Sequence, residues 1–142
     1  MKEMFSKVSL RPWQEDIVDL VKNQDKRTID WVVDIEGNKG KTFLAHYLVA
    51  NDNAYYVRGG KKADIIYAYN YEPIVVFDFT RCQRERIQYD LIEEFLDGYL
   101  FSSKYESKFK YKKDIKVLCL SNFEPMQNDT LSLDRFRIHR FN

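Results

Sequence analysis

Cysteine and histidine are both scarce, with two of each in 142 residues. Cys82 and Cys119 form no C-x-x-C pair and have no histidine at metal-ligand spacing, so they read as reduced structural thiols. Long apolar runs are missing as well. None approaches the roughly 18 residues that a membrane helix needs, and residues 1–9 are too polar for a secretory leader. The expectation is a soluble, intracellular chain. Neither sign of charge dominates, since 23 Lys and Arg stand against 22 Asp and Glu, for a net charge of +1. Net charge therefore names no partner, and only the local placement of charge can do so. Glycine numbers five and proline three, and no repeat, linker or low-complexity tract divides the chain. Its length suits one domain.

What the chain does hold is enough apolar material, 44% of residues, to exclude wholesale disorder. Ten Phe, ten Tyr and two Trp stand out, because aromatic rings fill cores and also stack on nucleic-acid bases. Pro12 suits a first helical turn, and Trp13, Ile17 and Val21 then recur every fourth residue, which predicts an amphipathic helix over 12–23. Residues 28–34, β-branched around Trp31, read as a buried strand. A glycine-bearing loop follows at 35–40, and then a helix at 41–49 with Phe43, Leu44, Tyr47 and Leu48 on its apolar side. A strand at 54–57 ends at Gly59 and Gly60, and a short helix spans 61–69. The continuous apolar run 74–77 suits a strand buried on both faces. Ile87, Leu91 and Phe95 mark a helix over 83–96 that Asp97-Gly98 terminates. Residues 99–112 read as a β-hairpin, 115–120 as another buried strand, and the remainder as a basic segment. Strands alternating with helices predict an α/β fold: a mostly parallel central sheet flanked by helices, with a β-hairpin insertion.

The loop carries the most chemistry. Asp34-Ile-Glu-Gly-Asn-Lys-Gly-Lys-Thr42 lies between a predicted strand and a predicted helix, which is the setting a phosphate-binding P-loop requires. Gly37, Asn38, Lys39 and Gly40 would turn their backbone N–H groups toward phosphate oxygens. Lys41 would reach the β- and γ-phosphates of ATP, and the Thr42 hydroxyl would ligate Mg²⁺. The first glycine of the usual G-x-x-x-x-G-K-[ST] pattern is replaced by Ile35. A plain strand-to-helix turn would need only part of this. Asp78 emerges at the end of the 74–77 run, where a carboxylate serves either as a cap or as the second Mg²⁺ ligand. Asn122 ends the 117–120 strand, either for turn geometry or to hydrogen-bond a γ-phosphate and an attacking water.

In order along the chain, Arg11-Pro-Trp-Gln14, Glu36-Gly-Asn-Lys-Gly-Lys-Thr42, Gly59-Gly-Lys-Lys-Ala-Asp64, Val75-Val-Phe-Asp-Phe-Thr-Arg81, Asp97-Gly98 with Ser103-Lys-Tyr105, residues 117–122, and Leu131-Ser-Leu-Asp-Arg135 form a set. The set resembles the superfamily-3 helicase domain of replication-initiator (Rep) proteins from circular single-stranded DNA viruses and related replicons, of the nanovirus and alphasatellite type. The resemblance implies an AAA+-like P-loop ATPase that assembles into a ring and translocates on single-stranded DNA in rolling-circle replication, in the host nucleus where the virus is eukaryotic. It places Lys41 and Thr42 on Walker A, Asp78 on Walker B, Asn122 on the motif C sensor, and Arg135 on the arginine finger of a neighbouring subunit's site. An ion pair with a nearby acid is the other reading of Arg135. The family's paired Walker B acids are absent, since Phe77 and Phe79 flank Asp78, so Glu93 and Glu94 are the remaining candidates for activating water. Full Rep proteins carry an endonuclease with a paired-histidine metal site, and His46 and His139 lie far apart. The expectation is therefore a single helicase domain over 1–142 without that endonuclease.

Between 103 and 116 lie six lysines against Glu106 and Asp114. Lys108-Phe-Lys-Tyr-Lys112 alternates lysine with aromatic, so a strand here would put lysines on one face and rings on the other. The lysine face would track a phosphate backbone, or would simply be a solvated edge that discourages aggregation. The aromatic face would pack on the domain or stack on bases. In the family this region is a hairpin directed into the ring channel, which makes Lys104, Lys108 and Lys110 the expected DNA contacts. Two rivals stand beside the helicase reading: a P-loop kinase for a small acceptor, and a nucleotide-binding DNA clamp without hydrolysis.

Overall fold

The computed structural model describes residues 10–35, 40–80, 83, 86–104, 108–125 and 135–141. Its elements run α1 (Pro12–Lys22), β1 (Ile29–Asp34), α2 (Lys41–Asp52), β2 (Ala54–Val57), α3 (Lys62–Ala68), β3 (Ile74–Asp78), α4 (Tyr89–Asp97), β4 (Tyr99–Ser102), β5 (Lys108–Tyr111), β6 (Lys116–Ser121) and β7 (Phe136–Phe141). Five strands form one sheet in the order β2-β3-β6-β1-β7, and every neighbouring pair in it is parallel. Parallel neighbours need crossover connections, and the helices supply them. β4 and β5 form a separate antiparallel hairpin.

The continuous apolar runs are explained by burial on both faces. Side chains alternate across a strand, so Trp31, Val33, Val75, Phe77, Val117 and Cys119 join a core under α3 and α4. Val32, Val76, Leu118 and Leu120 join a second core under α1 and α2. Trp31 is fully buried, and its indole N–H donates to Ser121 Oγ at 2.8 Å and to the Phe123 carbonyl at 3.0 Å. Among the described residues, no helix is long and apolar enough to cross a membrane.

Two elements depart from the expectation. The basic C-terminal segment contains a six-residue edge strand: Phe136–Phe141 is β7, in parallel register with β1. Its cations explain how it pairs. Arg137 donates through Nε to Asp30 Oδ1 at 2.6 Å, and the His139 ring nitrogen lies 2.9 Å from the same oxygen. Gln24 completes this buried network, donating to Asp30 Oδ2 at 2.9 Å and accepting from the Val117 N–H at 2.8 Å. The second departure is α4, which begins at Tyr89 rather than near residue 83. The preceding glutamines tie down the β2–α3 loop instead: Gln83 Nε2 donates to the Arg58 carbonyl at 2.6 Å, and Gln88 Nε2 to the Gly60 carbonyl at 2.9 Å. The end of α4 is where glycine is required. Gly98 has φ +85°, and a Cβ there would lie 2.1 Å from the Lys112 carbonyl oxygen.

Candidate active site

Lys41 opens α2, and the residue that caps this helix, Gly40, takes φ +94°. Gln14 of α1 holds that turn from outside. Its Nε2 donates to the Gly40 carbonyl at 2.9 Å, while its Oε1 accepts from the Arg11 N–H at 2.8 Å. The positive φ is what demands glycine at 40; a Cβ there would stand 2.7 Å from Gln14 Nε2 and displace that amide. Arg11 and Gln14, read from the sequence only as part of a motif, thus brace the exit of the loop.

The Lys41 ammonium is largely buried. It donates to Asn122 Oδ1 at 2.9 Å and lies 3.7 Å from Asp34 Oδ2, whose side chain is fully buried. Asn122 follows the last residue of β6, and Asp34 ends β1. The registers Val33 with Ser121 and Asp78 with Leu120 bring the ends of β1, β6 and β3 level at one edge of the sheet, with β6 in the middle. Asp78 is buried there, and its Oδ2 accepts from the Tyr56 hydroxyl at 2.5 Å. Burial, and then the hydrogen bond and negative charge of Asp78, push the Tyr56 hydroxyl well above the usual tyrosine range. The Tyr56 ring meets His46 of α2 edge-on, with centroids 5.6 Å apart. Thr42 is exposed in the first turn of α2, beside this edge. Gly37, Asn38 and Lys39 lie outside the described residues, as do Glu36 and residues 131–134.

So Lys41 and Asn122 are brought into direct contact, and Asp78 sits on the adjoining strand. Two participants were missed. Asp34 had a sequence signal, a strand-terminal acid immediately before the loop. Tyr56 had none, because its approach to Asp78 depends on β2 lying beside β3. Among the described residues no group of three or more His, Cys, Asp or Glu gathers as a metal site.

Arg135 lies elsewhere. It precedes Phe136, which pairs with Ile29 at the start of β1, whereas Lys41 follows the far end of that strand. Six residues of β1 at about 3.3 Å each separate the two edges by about 20 Å. Its Nη1 lies 3.9 Å from Glu93 and 3.7 Å from Asp97 on α4. Glu94 in turn pairs with Lys62 at 2.7 Å. Both candidate water-activating acids are therefore committed to cations outside the Lys41 cluster.

The hairpin turns its rings outward and Lys110 inward. Leu100, Ser102 and Lys110 are buried, while Tyr99, Phe101, Phe109 and Tyr111 are exposed. Lys110 Nζ donates to the carbonyls of Ile66 at 2.8 Å, Tyr67 at 2.7 Å, and Tyr69, so it closes the C-terminal turn of α3. Helix-terminal carbonyls lack intrahelical donors and carry partial negative charge, which is what an ammonium neutralises. The expectation that Lys110 faces DNA is thereby corrected: its charge is spent inside the fold. Lys104 Nζ pairs with Asp64 at 2.6 Å, and the side chain of Lys108 lies outside the described residues.

No protein-family model matches the chain. It is 38% identical over 115 residues to the "Master replication protein" of Milk vetch dwarf virus, a match covering 81% of this chain and 40% of that protein. It is 35% identical over 136 residues to "Para-Rep C7" of Faba bean necrotic yellows C7 alphasatellite, covering 91% of this chain and 47% of that one. The chain thus spans less than half the length of these relatives. Among solved structures, the C-terminal region of NrS-1 shares the fold with TM-score 0.51 at 12% identity, covering 94% of this chain and 38% of that one. Over the segment that it matches, the chain belongs with the master replication proteins of nanoviruses and the Rep proteins of alphasatellites.

Proposed function

We propose that this chain is the ATP-hydrolysing, DNA-translocating part of a replication initiator for rolling-circle replication. The observation that carries the reading is the Lys41–Asn122 hydrogen bond at 2.9 Å, with Asp34 behind it and Asp78 on the neighbouring strand end. The printed names of the relatives, which are replication proteins, supply the nucleic-acid context.

The residues present fit ATP and Mg²⁺ by their donor chemistry. A largely buried ammonium, an amide and a strand-end carboxylate stand at one sheet edge, with a hydroxyl in the first turn of α2. Lys41 and the loop through Gly37, Asn38, Lys39 and Gly40 would hold the phosphates, and Thr42 and Asp78 the Mg²⁺, which when bound neutralises phosphate charge. Asn122 accepts from Lys41 through Oδ1, which leaves its amide hydrogens for a phosphate oxygen or an attacking water. Tyr56 donates to Oδ2 of Asp78, so Oδ1 is the oxygen proposed for the Mg²⁺. Arg135 lies too far from its own Lys41 to act in cis, so a finger role belongs to a neighbouring copy's site in a ring. On DNA, Lys104 and Lys108 remain the proposed phosphate contacts, and the host nucleus the proposed place of action.

A second reading, nucleotide binding without hydrolysis, is favoured by one observation: Glu93 and Glu94 are held in ion pairs, and no second acid adjoins Asp78. ATP turnover with and without single-stranded DNA tests both. Stimulated turnover that Lys41→Ala abolishes supports the helicase reading. Tight ATP binding with no turnover selects the second, and turnover indifferent to DNA removes both.

A further inference from the structure

We infer that Tyr56 is a positioning residue that sets metal preference: its hydroxyl holds one oxygen of Asp78, so the carboxylate offers a single oxygen to a metal and favours Mg²⁺ over Ca²⁺. The inference rests on the proposed reading of Lys41, Thr42 and Asp78 as a nucleotide and Mg²⁺ site.

The first observation is placement. Tyr56 pairs in register with Val76, so Asp78, two residues further on, is its diagonal neighbour on the same face of the sheet. Diagonal neighbours stand about 7–8 Å apart, within reach of an aromatic side chain. Val76 and Tyr56 both pack in the core under α1 and α2. Asp78 therefore shares the face covered by α2, the helix that Lys41 and Thr42 open. The Tyr56 hydroxyl spans the diagonal and donates to Asp78 Oδ2 at 2.5 Å.

The second observation is that the tyrosine ring is itself held. His46 meets it edge-on, with centroids 5.6 Å apart and an interplanar angle of 79°. His46 stands four residues after Thr42 on α2, and so lies on the same side of that helix. A run of contacts from α2 through His46 and Tyr56 to β3 thus joins the elements that carry both proposed metal ligands. A phenylalanine would fill the same space in the core. What the hydroxyl adds is a fixed carboxylate.

That addition bears on the choice of ion. The terminal torsion of a carboxylate is broad and two-fold, so an unheld Asp78 could turn either oxygen, or both, to a metal. Ca²⁺ accepts bidentate carboxylates at about 2.3–2.6 Å, whereas Mg²⁺ demands octahedral geometry at about 2.0–2.1 Å. A hydrogen bond on Oδ2 withholds the bidentate mode. No second acid adjoins Asp78 in the sequence, and Asp34, the other buried acid at this edge, faces the Lys41 ammonium at 3.7 Å. The orientation of Asp78 is therefore what this edge has to discriminate between ions. Partners that orient a metal ligand are typically worth 10–100-fold in metal affinity.

The test measures binding of a fluorescently labelled, non-hydrolysable ATP analogue to the intact 142-residue chain in EDTA, in Mg²⁺ and in Ca²⁺. In EDTA, Tyr56→Phe should match the parent, because Lys41 holds the phosphates without the metal. In Mg²⁺ it should lose about ten-fold or more of affinity, while affinity in Ca²⁺ holds or rises, so the Mg²⁺-to-Ca²⁺ ratio falls. A general loosening of the fold would weaken all three alike. His46→Leu leaves the hydroxyl but removes the ring's support, and should shift the ratio in the same direction by less. It carries the test if Tyr56→Phe fails to fold. In an Asp78→Asn background, Tyr56→Phe should change the ratio no further. A parental ratio in either single variant, or the full Tyr56→Phe effect persisting beside Asp78→Asn, overturns the inference and leaves the nucleotide site standing. A parent that binds the analogue equally in EDTA and Mg²⁺ removes the Mg²⁺ site itself, and the inference with it.

Discussion

Lys41, proposed here to hold phosphate, also has a structural role beside Asp34. The Asp34 side chain is fully buried 3.7 Å from the ammonium, so removing Lys41 takes an ion-pair partner from a buried carboxyl as well as the proposed phosphate contact. Lys41→Ala should abolish turnover and also cost about 1–3 kcal/mol of stability, read as a lowered urea midpoint. Adding Asp34→Asn should restore part of the midpoint and none of the turnover, which separates the two roles. Asp30 makes a pH prediction. Burial pushes its carboxyl up, but hydrogen bonds from His139, Arg137 and Gln24 outweigh that and hold it below its ordinary value of 3.8. A carboxyl depressed in the folded state contributes stability above its unfolded value, and loses that contribution as pH falls through the folded one. The urea midpoint of the parent should therefore exceed that of Asp30→Asn at neutral pH, and the gap should close below about pH 4. A gap constant down to pH 3 would mean that the network contributes through shape alone.

The hairpin carries the sharpest element-scale lesson. Period-two alternation of lysine and aromatic was legible in the sequence, but not which side faces in. The deciding partner is the C-terminal turn of α3, whose carbonyls take Lys110, and nothing in residues 108–112 announces it. Lys110→Met should leave the α3 carbonyls without their donor, and cost about 1–3 kcal/mol with faster amide exchange in α3 and β5. Stability equal to the parent would show that water replaces the ammonium at no cost. β7 escaped detection for a related reason. Its basic side chains look like a solvated tail until Asp30 of β1 is known to lie beside them. The helices and apolar strands were easier, because their spacing reports burial without reference to any partner.

At the scale of the molecule, the sheet order places the end of β6 between those of β1 and β3, and sets Arg135 at the opposite edge from Lys41. If Arg135 acts in hydrolysis, it acts on a neighbouring copy, and specific activity should rise with protein concentration. Arg135→Ala should lose about 10³-fold in turnover while still binding ATP. Mixed with Lys41→Ala, it should recover part of the activity that each lacks. No recovery at concentrations where mixed oligomers form would leave Arg135 as the ion-pair partner of Glu93 and Asp97 only.

The sequence by itself determined the α/β class, the apolar strands and the change from strand to helix on either side of residues 35–40, because a strand buried on both faces must be apolar throughout while a helix shows its own spacing. It also contained the kinship with viral replication proteins, carried by short motifs in order. Only the tertiary structure decided that Lys41 meets Asn122 and Asp34, that Tyr56 holds Asp78, that β7 closes the sheet, and that the hairpin turns its rings outward. Each of these depends on which elements become neighbours. Neighbourhood in a parallel sheet is set by crossovers between segments distant in the chain, and local spacing carries no record of it.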